Sequence, residues 1–300
     1  MNGFRLPAFA KINLLLRVTG RRPSDGLHEV HTLLQTISLC DYLTFEPCDE
    51  GFELESDALD IPLDDTNLIA RAARLLIEKY DVRSGARVTL EKHIPTQAGL
   101  GGGSSNAAVA LLGLVRLWSL KVSGAELNAL GATLGADVPF FFHGGTGLGT
   151  GTGATITTLP DAPAKSVLVV MPDARVSTAE AYQRLRMPFL TKKTSVAILS
   201  GSRPESIVKQ VFDNALHNDF EPVVFGMHTS IAHAKRMLYE HGAAHALLSG
   251  SGASVFGIFD DTQILDEAHN ILNRERGWRC FACRTLNRSE YCHHLNIGFL

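Results

Sequence analysis

Apolar and polar positions alternate along the chain with two different periods. Residues 4–18 (FRLPAFAKINLLLRV) read as a strand, with Lys11 and Asn13 planted among apolar neighbours. Residues 20–26 are rich in Arg, Pro, Asp and Gly and read as a loop, and residues 39–46 as a further strand. The period lengthens to that of a helix over 67–80, with Asp64, Asp65 and Thr66 ahead of it as cap candidates. A short strand over 88–92 precedes helices over 107–120 and 123–134, the second stopped by Gly135. Glycines between 144 and 153 read as turns around a returning strand. The segment 159–165 (LPDAPAK) breaks the periodicity and is the linker candidate.

The second half has its own order. A strand (166–171) leads to a helix opened by the capping-box pattern Ser177-x-x-Glu180. Residues 187–204 are polar and read as a loop. Helices over 205–218 and 223–241 follow, with Gly242 as a stop signal. Strands 245–248 and 254–259, a helix over 262–276 and a strand over 278–284 complete the series. This is the split βαβ, ferredoxin-like order. The chain therefore reads as α/β (α+β) in two domains: a mixed α/β domain over 1–160 and a ferredoxin-like βαββαβ domain over 161–300.

The stretch joining strand 88–92 to the long apolar helix is PTQAGLGGGSSNAA, Pro95 to Ala108. Gly99, Gly101, Gly102 and Gly103 lack side chains that would hold a ligand off, and glycine tolerates positive φ. Ser104, Ser105 and Asn106 are good N-cap types ahead of an apolar helix. A glycine loop feeding a helix N-terminus is an anion site, and so many backbone donors suit a di- or triphosphate. The other reading is a loop that only packs tightly. No lysine follows the glycines, so this is not the G-x-x-x-x-G-K-[ST] loop, nor does it complete G-x-G-x-x-G. Lys11 is either a snorkelling residue or the charge that a phosphate-transfer site uses. Asp137, two residues before Pro139, is either the N-cap of a short helix starting at Val138 or a catalytic base.

Composition narrows the classes. Hydrophobic residues make up 45% and charged residues 20%, ordinary for a globular protein that buries real cores. With 28 basic and 31 acidic residues there is no basic field for nucleic acid. No apolar run reaches transmembrane length. Lys11, Asn13 and Arg17 interrupt the first apolar stretch, which argues against a signal peptide and for a cytoplasmic enzyme. Five cysteines, an odd number, do not make a disulfide framework. Cys280 and Cys283, with Cys292, His293 and His294, could be proposed as a zinc site. A strand there places Cys280 and Cys283 on opposite faces, so no metal site is expected.

Three stretches together resemble the motifs of the GHMP kinases: PAFAKINLLLRV (7–18), PTQAGLGGGSSNAAVALL (95–112) and LLSGSGASVFGIF (247–259). They occur in that family's order and span the chain. The resemblance implies a two-domain GHMP kinase fold that uses ATP and Mg²⁺. It implies that Pro95, Thr96, Gln97, Ala98, Gly99, Leu100, Gly101, Gly102, Gly103, Ser104 and Ser105 wrap the ATP phosphates. It implies that Lys11 and Asp137 stand at the chemistry, that Asn13 assists Lys11, and that Ser249, Gly250, Ser251 and Gly252 close the site. Within the family, GLHEVHTLLQTISLCD (26–41), LGADVPFF (134–141), VSTAEAY (176–182) and Asn218-Asp219 with a following acidic residue are most similar to members acting on a cytidine-diphosphate-linked methylerythritol. The implied partner is thus that small molecule, with His28 reading the cytosine and Tyr182 stacking on it. Those members usually carry an aromatic residue just before the histidine; here it is Leu27, which covers a ring only by dispersion. Homoserine, mevalonate and sugar kinases of the same family are the alternatives, and an inactive ligand-binding relative is a further one.

Overall fold

The computed structural model describes residues 3–185, 204–212 and 216–296. Two long strands open it, β1 (Phe4–Arg21) and β2 (His28–Cys48), paired antiparallel along almost their whole length. Bulges interrupt the register after Phe9, Asn13 and Val18. Then come β3 (Phe52–Ser56), α1 (Leu68–Tyr80), β4 (Gly85–Glu91), α2 (Gly102–Leu117) and α3 (Gly124–Leu134). A 3₁₀ turn over Val138–Phe142 precedes β5 (Thr146–Thr150) and β6 (Thr155–Thr158).

The second series is β7 (Ser166–Met171), α4 (Thr178–Leu185), α5 (Pro204–Gln210), β8 (His217–Asn218), α6 (Glu221–Met227) and α7 (Thr229–Glu240). It continues with β9 (His245–Leu248), β10 (Val255–Phe259), α8 (Thr262–Leu272), β11 (Arg279–Arg284) and α9 (Arg288–Leu295).

The first sheet runs β3-β4-β2-β1-β8, with β5 and β6 continuing from the other half of β2. The second runs β11-β7-β10-β9 with every neighbour antiparallel, the ferredoxin-like order expected from the sequence. Apolar periodicity sets four layers. Helices α1–α3 bury Ile69, Ala73, Leu111 and Leu114 against the outer face of the first sheet. The inner face presents Ile12, Leu14, Leu33 and Ile37 to Val167, Val169, Phe256 and Ile258 of the second sheet. Helices α7 and α8 cover that sheet's far side with Ile231, Leu238, Leu265 and Leu272. Helix α2 packs so closely that a β-carbon on Gly113 would stand 2.2 Å from the Phe45 ring.

Several boundaries differ from the sequence reading. Helix α2 begins at Gly102, so Ser104, Ser105 and Asn106 are helical and Gly101 is the N-cap position. Asn67, not the residues before it, caps α1 by accepting from Ile69 N, while Asp64 forms an Asx turn onto Thr66. The helix expected over 205–218 ends early, and His217 and Asn218 form a strand beside Leu15 and Leu16 of β1. The helix expected over 223–241 is two helices, because His228 is extended between them. Of the Ser177–Glu180 box, Glu180 N donates to Ser177 Oγ, but the Glu180 carboxylate is taken by Arg184. The loop expected over 187–204 lies almost wholly outside the described residues.

After β11 the chain returns to the first sheet. Leu286, Tyr291, Cys292 and Leu295 join the core under α2, and the Tyr291 hydroxyl donates to Phe141 O. The proline-rich segment before β7 is pinned at both ends, by Leu159 N to Thr146 O and by Lys165 N to Thr285 Oγ1.

Candidate active site

Strand alternation sends Lys11 and Asn13 to one face of β1 while Ala10, Ile12 and Leu14 enter the layer between the sheets. Lys11 is 3% exposed, so its charge must be met inside the protein. Its Nζ donates to Asn13 Oδ1 (2.7 Å) and Gly99 O (3.0 Å) and lies 3.4 Å from Asp137 Oδ2. Asn13 Nδ2 donates to Thr32 Oγ1, which donates to Leu15 O. That relay holds the Asn13 amide with its oxygen toward the lysine.

The segment ahead of α2 is shaped by two left-handed glycines, Gly99 at φ 75° and Gly101 at φ 70°. A side chain on either would be strained and would collide: a β-carbon would stand 2.1 Å from Ser249 O at Gly99 and 2.9 Å from Lys11 Cγ at Gly101. Lys11 N donates to Leu100 O, which ties this segment to β1. Gly101 offers no side-chain cap, so the first turn of α2 opens without a capping acceptor for its N–H groups. Gly102 faces inward, where a β-carbon would meet Ile94 and Lys92, whereas Gly103 is exposed. Ser105 is fully buried and reaches neither cavity described next.

Two cavities meet at Gly99, Gly101 and Ser104. One, of about 350 Å³, is walled by residues 95–104 together with Ile61, Asn67, Leu68, Leu90 and Lys92. Lys92 is buried there, which pushes its pKa down, while Asp41, to which it donates a hydrogen bond, pulls it back up. Asp41 also accepts from His93 N and Ile94 N, fixing the stem of the glycine loop. The other cavity, of about 620 Å³, holds Lys11, Asn13 and Asp137 near the junction and Leu27, His28 and Tyr182 in its wall.

Asp137 occupies the position before the 3₁₀ turn but makes no capping bond; its carboxylate turns to Lys11 instead. Capping is therefore not what this side chain does. The His28 and Tyr182 rings stack on each other, 4.6 Å between centroids and 30° between planes, and the Phe220 edge backs Tyr182. Burial, and then the Asp137 charge, push the Tyr182 hydroxyl up to about 12, so it stays protonated. Burial and the Arg21 charge push the His28 imidazole below its ordinary value. Leu27 is 52% exposed, and the Tyr182 ring faces His28 rather than Leu27.

The 249–252 turn lies over the glycine loop. Ser249 Oγ donates to Gly99 O, and Ser254 N donates to Ala98 O. Gly250 and Ser251 line the larger cavity, Gly252 lines a smaller one beside Gln97, and Ser249 is buried behind them. Sequence reasoning missed Thr32, Lys92, Asp41 and Phe220. Thr32 was within reach, because His28, Val30 and Thr32 share one face of a strand and all three line the cavity. No group of three or more His, Cys, Asp or Glu able to hold a metal occurs among the described residues. No helix among them is long and apolar enough to cross a membrane.

Comparison with known proteins bears on this arrangement. Residues 67–145 match the GHMP kinases N terminal domain and residues 197–277 the GHMP kinases C terminal domain. The chain is 40% identical over 278 residues to 4-diphosphocytidyl-2-C-methyl-D-erythritol kinase of Syntrophus aciditrophicus (strain SB), covering 93% of this chain and 98% of that protein. It is 38% identical over 265 residues to the enzyme of that name from Clostridioides difficile (strain 630), covering 88% and 89%. A crystal structure of 4-(cytidine 5'-diphospho)-2C-methyl-D-erythritol kinase superposes with a TM-score of 0.78 at 34% identity, covering 94% of this chain and 99% of that one. Homoserine kinase from Cytophaga hutchinsonii shares the fold, with a TM-score of 0.66 at 17% identity and 96% of each chain covered. With both halves matched and Lys11 set between a glycine loop and a carboxylate, the chain belongs to the GHMP kinases, ATP-dependent small-molecule phosphotransferases.

Proposed function

We propose that the chain transfers the γ-phosphoryl group of ATP to the 2-hydroxyl of 4-diphosphocytidyl-2-C-methyl-D-erythritol, a step in the non-mevalonate route to isopentenyl diphosphate. The observation that carries this reading is the junction: a nucleotide-sized cavity at the glycine loop and a larger cavity for the acceptor share Gly99, Gly101 and Ser104, with Lys11 and Asp137 beside them. The relatives of the same name, about 40% identical over nearly the whole chain, support the choice of acceptor.

Phosphoryl transfer asks for in-line placement and for positive charge around the moving group. The N-terminus of α2 supplies N–H donors, and the pocket beside Ile61, Leu68 and Leu90 suits a flat apolar base. Lys11 neutralises charge at the reacting oxygens while Asn13 and Gly99 hold its Nζ in place. Asp137, 3.4 Å from Lys11 Nζ, accepts the proton of the attacking hydroxyl. Ser104, which lines the junction, is the side-chain oxygen that would lie near a Mg²⁺ ion bound to the ATP phosphates, and such an ion would supply further neutralisation. His28 reads the edge of the cytosine and Tyr182 covers one face, so the two rings must part to admit it. Such a substrate and ATP fit a cytoplasmic enzyme, and we take 1–160 and 161–300 as its two domains, with α9 serving the core of the first.

The test is ADP release from ATP·Mg²⁺ against a panel of alcohols. The cytidine-diphosphate-linked alcohol should be preferred at least a hundredfold in kcat/KM. Equal turnover of free methylerythritol, homoserine or mevalonate refutes the choice of acceptor.

A further inference from the structure

Asn218 belongs to neither cavity, yet it touches what shapes both sides of the larger one. It is 1% exposed and lies on β8, the two-residue strand that pairs with Leu15 and Leu16 of β1. Asp219 secures the same segment to β1: its N donates to Leu16 O, and its Oδ2 accepts from Val18 N. The Asn218 amide is fully engaged with the second half of the chain. Its Nδ2 donates to Leu248 O (2.8 Å) and to Gly250 O (2.7 Å). Its Oδ1 accepts from the N of Phe220, whose ring backs Tyr182.

The Gly250 carbonyl is thus tied away from the cavity. In a planar trans peptide the N–H points opposite to the C=O, so the N–H of Ser251 is turned the other way. Gly250 is left-handed at φ 57° and close to the chemistry: a β-carbon there would stand 3.1 Å from Gly99 O and 3.5 Å from Lys11 Nζ. The N–H groups of Gly250 and Ser251 meet no protein acceptor among the described residues. We infer that Asn218 is a positioning residue for phosphoryl transfer: by clamping Gly250 O it turns the Ser251 N–H toward the charge that develops between Lys11 and the glycine loop, while its bond to Leu248 O anchors the strand end from which the turn springs. The inference rests on the kinase reading above, and acts through the 249–252 turn rather than through contact with substrate.

Asn218→Asp is nearly isosteric and keeps the acceptor for Phe220 N, but it sets a carboxylate oxygen against two carbonyls. The wild-type enzyme, assayed with ATP·Mg²⁺ and the cytidine-diphosphate-linked alcohol, first establishes the kinase reading independently. In the variant kcat should fall about 10²-fold, in line with loss of preorganised transition-state donors, while both KM values stay within about threefold. If Asn218→Asp does not fold, Asn218→Ser, which keeps one hydroxyl donor, is judged by the same criteria. The double variant Asn218→Ser/Ser249→Ala separates positioning from general weakening. Because both changes free one turn, their losses in kcat should not multiply. A folded variant whose kcat stays within twofold of wild type, or a double variant whose losses multiply fully, overturns the inference.

Discussion

Asp137→Asn is the sharpest probe of the site, because the structure separates what the residue does for stability from what it does for rate. The carboxylate lies 3.4 Å from Lys11 Nζ. At an effective dielectric of about 20, a full ion pair at that distance represents about 5 kcal/mol of Coulomb attraction. Three features shrink its net contribution. The Asp137 side chain is 33% exposed, so water screens it. Lys11 keeps Asn13 Oδ1 and Gly99 O as acceptors when the carboxylate is gone. The asparagine amide also returns an oxygen of similar reach, and no capping bond is lost. The expected cost is about 1 kcal/mol, or about 2–4 °C in Tm for a chain of this size. Loss of a general base, by contrast, costs about 10²–10⁴ in kcat, equivalent to about 3–5 kcal/mol of barrier. The assay pairs a thermal melt with ADP release at saturating ATP and acceptor. A variant that turns over within fivefold of wild type refutes the proton-accepting role, and one that melts about 10 °C early refutes the separation of roles.

Other substitutions report on the remaining parts. Gly103 is exposed and a β-carbon there would meet only Leu68 Cδ1, at 3.8 Å. Gly103→Ala should therefore hold or raise Tm while raising the KM for ATP at least tenfold; unchanged ATP affinity would show that no phosphate approaches the backbone there. His28→Ala should lower kcat/KM for the acceptor about ten- to hundredfold and leave the KM for ATP alone, as steady-state kinetics will show. Since burial and the Arg21 charge hold the His28 imidazole below the ordinary histidine value of about 6.5, it is neutral from there upward. Acceptor affinity should stay flat above that pH and weaken only below it; a wild-type KM that climbs between pH 7 and 8 in step with this histidine contradicts the assignment. Leu27→Tyr should lower the acceptor KM if a second aromatic face is what the cavity lacks.

The parts of the fold legible in the sequence are those set by local forces. Left-handed glycines, an apolar helix and the strand carrying Lys11 each announce themselves within a dozen residues. The start of α2 was misplaced because glycine scores poorly as helix, whereas at Gly102 the missing side chain is what lets the helix start pack against Ile94 and Lys92. Strand β8 has only two residues, too short for any period, and its reason to exist is Leu15 and Leu16, two hundred positions earlier. Asp137 ahead of Pro139 carries the signature of a cap, but a buried lysine competes for the carboxylate, and only the folded chain reveals that rival. His28 and Tyr182 came from resemblance, and their mutual stacking was invisible because it joins two halves of the chain.

The return of α9 beneath α2 bears on how the protein is made. Tyr291 is fully buried in the core of the first sheet, and its hydroxyl reaches Phe141, 150 residues earlier. A ribosome therefore releases strands β1 to β6 and helices α1 to α3 while one wall of their core is still unsynthesised. At synthesis rates of about 5–20 residues per second, that wait lasts about 8–30 s. During it Phe9 and the 3₁₀ turn after Asp137 lack the Tyr291 ring that packs on them in the finished fold. A fragment cut before residue 286 should show this permanently, binding hydrophobic dyes and losing kinase activity although every residue of the glycine loop, Lys11 and Asp137 is retained.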